Sequence, residues 1–160
     1  MDAPGRAYLS GLKMLARREL SEAQVRSRLA RLQFEPDHIE EAVERLRQER
    51  AVDDRRVALA CARTEVRMRQ RGRARVVRQI ESLGISRDIA RAAVTEVFAE
   101  LDEAALLEQA LDKRLRRGAT LEDPATARRV HRYLIAQGFD PSRVSVALQS
   151  RIKNPESRID

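Results

Sequence analysis

The side chains of this chain on which chemistry could turn are few: adjacent carboxylates Asp53 and Asp54, histidines His38 and His131, the single thiol Cys61, and a run of arginines from Arg63 to Arg78. A carboxylate pair can hold a divalent cation through oxygen. Asp53 and Asp54, however, stand just before an apolar-periodic run that opens at Val57, where acids cap a helix and oppose its dipole. Capping is therefore the expected role. The histidines have no partner at zinc-ligand spacing, and each falls in a helical stretch among charged neighbours, so both read as exposed structural side chains. Cys61 has no second thiol with which to form a disulfide or redox pair and reads as a small buried side chain. The 6 glycines never assemble into a phosphate-cradling loop. No nucleophile stands beside a base, so the sequence predicts no catalytic residue, no metal and no cofactor.

The arginines are more informative. Arg63, Arg67, Arg69, Arg71, Arg73, Arg75 and Arg78 follow one another with Glu65 as the only acid between them. Arg63, Arg67 and Arg71 recur every fourth residue and so should share one helical face, and Arg75 and Arg78 should share another. The expectation is a continuous cationic ridge, and replacing Arg67, Arg71, Arg75 and Arg78 by alanine should leave the fold intact. Smaller clusters, Lys113, Arg114, Arg116 and Arg117, then Arg128, Arg129 and Arg132, extend the pattern.

The net charge is +7, and only Lys13, Lys113 and Lys153 among the 32 basic residues are lysines. A GC-rich genome would favour arginine codons, but it would not cluster them. Fixed cations release counterions from a polyanion, and the arginine fork grips phosphate or carboxylate with two bonds. Aromatic residues make up only 3% of the chain, too few for a base-stacking platform. Contact should therefore be with backbone phosphate or acidic protein, without sequence readout.

These arginines must be positioned by helices, and the helices repeat. Slid forward without a gap, Val25, Leu29, Leu32, Phe34 and Val43 coincide with Val76, Ile80, Leu83, Ile85 and Val94. Slid further, Val25, Leu29, Phe34, Pro36, Ile39, Ala42 and Val43 coincide with Val130, Leu134, Phe139, Pro141, Val144, Ala147 and Leu148. The three-and-four spacing of Val25, Leu29 and Leu32 places them on one buried helical face. Ser21 with Gln24 forms a capping box, Ser86 precedes Arg87 and Asp88, and Asp140 precedes Pro141, each marking a helix start. Gln33-Phe34, Gly84-Ile85 and Gly138-Phe139 pair a helix-ending residue with an apolar plug. The core pairs Leu29/Phe34, Ile80/Ile85 and Leu134/Phe139 follow from this.

An amphipathic stretch precedes each such pair of helices: Tyr8 to Arg18, Asp54 to Gln70 and Asp102 to Arg117. The predicted architecture is all-α, with three tandem three-helix repeats at 1–50, 51–101 and 102–153 stacked into an elongated, curved body. Short linkers lie at Arg71 to Arg73 and Gly118 to Asp123, and 154–160 should be a frayed tail. No run approaches the ~18 apolar residues of a membrane span. Met1 to Pro4 shows no apolar run after a basic stretch, so a soluble cytoplasmic protein is expected.

The paired helices also resemble a helix-turn-helix, which would make the chain a duplex-reading module. The first would-be recognition helix carries Asp37, Glu40, Glu41 and Glu44, which a major groove would repel, and the second is mixed, with Arg87, Asp88, Arg91 and Glu96. Only the third, with Arg143, Ser145 and Gln149, suits DNA. An interaction solenoid without any nucleic-acid role is the remaining alternative.

Leu15-Ala16-Arg17-Arg18-Glu19-Leu20-Ser21, Leu29, Phe34, Leu46, Val52-Asp53-Asp54, Gly72, Gly84-Ile85 and Gly138-Phe139, in this order and spacing, closely resemble the RecX family of bacterial recombination regulators. The resemblance runs from about Tyr8 to Ile152, and Gln33 departs from it where the family commonly has glycine. It implies a non-enzymatic modulator, acting as a monomer, that binds filaments of the RecA recombinase on single-stranded DNA. Duplex DNA would be bound only weakly and without sequence specificity. The resemblance further implies inhibition of filament growth, ATP hydrolysis, strand exchange and coprotease activity, which would tune recombination and the SOS response.

Overall fold

The computed structural model describes residues 2–116 and 121–154. Arg117, residues 118–120 of the expected second linker and 155–160 of the expected tail lie outside the described residues. Among the described residues the chain is all-α. The helices are α1 (Ala3–Leu15), α2 (Glu22–Arg31), α3 (Pro36–Gln48), α4 (Asp54–Arg69), α5 (Arg73–Glu81), α6 (Arg87–Ala99), α7 (Glu103–Leu115), α8 (Pro124–Ala136) and α9 (Pro141–Lys153). None of them is long and apolar enough to cross a membrane. The chain forms two compact units, Met1–Cys61 with Gln79–Ala93, and Ala62–Arg78 with Val94–Asp160, so their boundaries fall inside α4, α5 and α6.

In the first unit α1, α2 and α3 pack on one another. Ala7, Leu20, Val25, Leu29, Ile39, Ala42, Val43, Leu46 and Val52 form the core, with Phe34, Leu12 and Tyr8 packed against it. Ser21 closes the capping box with Gln24, and its hydroxyl also donates to the Leu83 carbonyl at 2.5 Å. That second bond explains why so polar a residue is fully buried. Asp53 accepts from the Arg56 amide at 3.0 Å and so caps α4. Asp54 is turned elsewhere: its carboxylate accepts from the Glu22 amide at 2.8 Å, covering an orphan donor at the start of α2.

The second unit repeats this scheme with different residues. Gly72, in register with Ser21, lies against the turn after α8: its amide donates to the Gln137 carbonyl at 2.8 Å, and the Ala74 amide donates to the Gly138 carbonyl at 3.3 Å. A Cβ at Gly72 would stand 2.5 Å from the Gly138 carbonyl carbon, which is why no larger residue fits. Val76, Val94, Phe98, Leu107, Leu111, Val130, Leu134, Val144 and Leu148 are buried here. The Arg151 guanidinium joins α9 to α7, reaching Glu108 and Asp112 at 2.6 Å each.

The paired core positions have a common cause in the way their helices end. Phe34 donates its amide to the Leu29 carbonyl and Gln33 to that of Ala30, while Phe139 and Gly138 do the same to Leu134 and Ile135. This is the Schellman arrangement, in which an apolar residue after the turn folds back onto the one that opened the last helical turn. It requires a left-handed residue between them: Gly138 at φ 97, but Gln33 at φ 61. A side chain in that region costs about 1–2 kcal/mol.

Two expectations on this face need correction. Leu32, placed on the buried stripe by its spacing, is 57% exposed, because Phe34 folds back over Leu29 and closes the core ahead of it. Phe34 is itself only half-buried.

Candidate functional site

The arginine run does not form one ridge. Arg63 and Arg67 stand one turn apart on α4 and are exposed, but the helix ends at Arg69. Gln70 then adopts φ 49 and reverses the chain. Arg71 therefore does not continue the line of Arg63 and Arg67, as its spacing predicted. Its side chain is only 14% exposed and pairs with Glu65, which is itself 4% exposed. Arg69 approaches the same carboxylate at 3.4 Å from the solvent side. The one acid in the run is thus the anchor on which the chain turns, not a dilution of surface charge.

Arg73 and Arg75 are also engaged internally. Arg73 donates to Glu103 Oε1 at 2.8 and 2.5 Å, and its guanidinium, though 44% exposed, lies 4.8 Å from the centre of the Phe98 ring, within cation–π range. Arg75 is half-buried, and its guanidinium donates to the Ala136 carbonyl at 3.3 Å. Alanine at Arg71 and Arg75 would therefore disturb the fold, contrary to expectation. Arg78 is exposed. Among the described residues no carboxylate pairs with Arg63, Arg67 or Arg78.

The local sequence also hid nearby acids. Arg63 and Arg67 line a groove of about 160 Å³ together with Val66, Val97, Leu101, Glu96 and Glu100. Those carboxylates arrive from the last turns of α6 and the residue just after it, some thirty residues along the chain.

Arg128, Arg129 and Arg132 are exposed on α8. Arg129 donates to the Thr126 hydroxyl at 3.0 Å. Asp123, which caps α8, is held below the ordinary aspartate range by the Thr126 hydroxyl and then by the Ala125 and Thr126 amides. Lys113 donates to the Gln70 side chain at 3.2 Å, and Arg114 lies over Tyr133. Tyr8 lies under Arg45 and is bonded to Glu49, which raises its pKa. Phe98 and Phe139 are buried.

His38 and His131 are half-buried, not exposed as expected; His131 Nε2 lies 3.1 Å from the Ser145 hydroxyl. Cys61 is half-buried. Among the described residues no group of 3 or more histidine, cysteine and carboxylate side chains could hold a metal ion.

A second basic surface, in the first unit, was not anticipated. Lys13, Arg17, Arg18 and Arg28 line a groove of about 400 Å³ with Ser10, Met14 and Leu32. Lys13 lies on α1, Arg17 and Arg18 on the chain beyond it and Arg28 on α2, so no single helical face brings them together; the turn between the helices does.

The family model for the first three-helix domain of RecX matches residues 7–46. The regulatory protein RecX of Syntrophotalea carbinolica is 34% identical over 134 residues, covering 83% of this chain and 88% of the relative. That of Pelodictyon phaeoclathratiforme is 26% identical over 148 residues, covering 92% and 89%. The crystal structure of RecX from Lactobacillus salivarius superposes with a TM-score of 0.81 at 18% identity, covering 93% of this chain and 96% of that one. At that identity the likeness speaks for the fold.

Proposed function

Since the chain belongs to the RecX family of regulatory proteins, we propose that it regulates the RecA recombinase by binding its filaments on single-stranded DNA in the cytoplasm. It acts by binding, without making or breaking bonds, and restrains filament growth, ATP hydrolysis, strand exchange and coprotease activity. Residues 1–50, 51–101 and 102–153 serve as three tandem repeats. The two equivalent dockings, Ser21 on Leu83 and Gly72 on Gln137, support that division.

One observation carries the proposed contact surface. Within the arginine clusters of the second unit, Arg63, Arg67 and Arg78 with Arg128 and Arg132 are exposed without a carboxylate partner among the described residues, whereas the aromatic residues are taken up in internal contacts. Such a surface suits phosphate or acidic protein groups and offers nothing for bases to stack on. Binding to duplex DNA should be weak and indifferent to sequence.

The test is RecA-catalysed ATP hydrolysis on single-stranded DNA, titrated with substoichiometric amounts of the chain. The wild type should slow hydrolysis. Arg63→Ala/Arg67→Ala/Arg78→Ala should slow it less at an unchanged circular-dichroism spectrum. If these cations meet phosphates, the salt dependence of binding should flatten by a slope of about 2, at roughly 0.7 per lost contact on a single strand. No inhibition by the wild type across the titration would overturn the regulatory reading. Full inhibition by the triple variant would show these arginines to be bystanders.

A further inference from the structure

The groove of the first unit combines four cations with exposed aliphatic surface. Lys13, Arg17 and Arg18 come from the end of α1 and the chain beyond it, Arg28 comes from α2, and among the described residues none of the four is in an ion pair. Nearby acids are committed elsewhere: Glu19 to Arg56 at 2.8 Å and Glu22 to Arg26 at 3.3 Å. The groove also contains Leu32, a large aliphatic residue left 57% exposed, and the half-buried Met14.

Helix C-termini attract cations, and α1 and α2 both end here. Each end supplies only about half a negative charge, against the full charges of Lys13, Arg17, Arg18 and Arg28. A strong positive excess remains, beside an apolar surface that costs free energy while it faces water.

We propose that this groove is a docking site for an acidic peptide segment of a protein partner, with one aliphatic side chain seated on Leu32 and Met14 and flanking carboxylates on the four cations. Charge complementarity selects an anion. The apolar part selects peptide over nucleic acid, because Leu32 and Met14 are aliphatic and flexible and provide no ring for a base, whereas methionine and leucine readily accommodate an aliphatic anchor. All of the groove's lining residues belong to the first unit.

Fluorescence anisotropy on the full chain tests this with labelled synthetic peptides: one alternating glutamate with leucine, one of the same length and charge with serine for leucine, and a thymidine oligonucleotide as comparison. The leucine peptide should bind at least tenfold more tightly than the serine peptide. Arg17→Ala/Arg18→Ala should weaken it at least tenfold. Leu32→Ser should bring it to the level of the serine peptide, and that position is exposed enough for the fold to survive, as circular dichroism would verify. Arg63→Ala/Arg67→Ala should leave peptide binding unchanged. Equal binding of the two peptides would remove the aliphatic seat and overturn the proposal. So would groove variants that lose oligonucleotide binding while keeping the peptide, which would make the groove a nucleic-acid contact.

Discussion

Arg71 separates structural from functional arginine most sharply. In sequence it belongs to the densest basic run of the chain, and in the fold its guanidinium is paired with a carboxylate that is 4% exposed. Arg71→Ala leaves the Glu65 charge buried without its main partner. Breaking a buried pair in this way costs about 3–5 kcal/mol. Arg69 offsets part of it from 3.4 Å, but its side chain is 55% exposed, and a solvent-screened contact is worth about 0.5 kcal/mol. The expected loss is therefore about 3 kcal/mol, a large part of the ~5–15 kcal/mol that stabilises an ordinary protein. For a chain of this size it corresponds to a fall of roughly 6–12 °C in Tm.

Urea and thermal unfolding followed by circular dichroism measure this directly, with Arg67→Ala as the solvent-facing comparison expected to stay within about 0.5 kcal/mol. Glu65→Gln should cost about as much as Arg71→Ala. The double replacement Glu65→Leu/Arg71→Met should recover most of the loss, because a buried pair exchanged for apolar side chains of similar volume is often neutral. If Arg71→Ala proved no more harmful than Arg67→Ala, the assignment of Arg71 to the fold would be wrong, and it would return to the candidate contact surface.

Gln33→Gly should stabilise the chain by about 0.5–1 kcal/mol in urea unfolding, since it relieves a side chain at φ 61 at a smaller cost in unfolded-state entropy. Gly138→Ala should destabilise by at least about 3 kcal/mol, because the residue sits at φ 97 and its new Cβ would lie 2.3 Å from the Arg75 backbone nitrogen; an unchanged Tm would contradict that packing. Asp123, whose pKa is lowered in the fold, contributes stability above the ordinary aspartate pKa that is lost as pH falls through the lowered value. The protection factors of the Ala125 and Thr126 amides, exchange rates taken relative to the unstructured chain at the same pH, should therefore fall in acid before those of the buried core.

The helices were legible because their signals are local. Ser21 with Gln24, Pro141 after Asp140, and the spacing from Leu29 to Phe34 each lie within a few residues, and the same short-range hydrogen bonds that define them hold in the fold. The repeat also identified Gly84 and Gly138 as helix-ending residues, and the family resemblance added Gly72, although neither could say what Gly72 packs against. Gly72 and Gly138 meet in a backbone crossing between the start of α5 and the turn after α8, a contact between residues far apart in sequence.

The surface was less legible for the same reason. A helical wheel assumes that the helix continues, and Gln70 stops α4 at a left-handed residue that carries no glycine signal. Once the helix stops, the four-residue spacing of Arg67 and Arg71 no longer predicts a common face, and burial of Glu65 decides where Arg71 points. Counting acids within the run fails likewise, since Glu103 pairs with Arg73 from α7, and Glu96 and Glu100 line the same groove as Arg63 and Arg67 without pairing with them. Charge density along a chain therefore locates a region of interest. Which cations lack an internal partner is decided by the carboxylates and carbonyls that the tertiary fold delivers to them: Arg71, Arg73 and Arg75 meet Glu65, Glu103 and the Ala136 carbonyl within the second unit, whereas Arg63, Arg67 and Arg78 stay exposed without a carboxylate partner among the described residues.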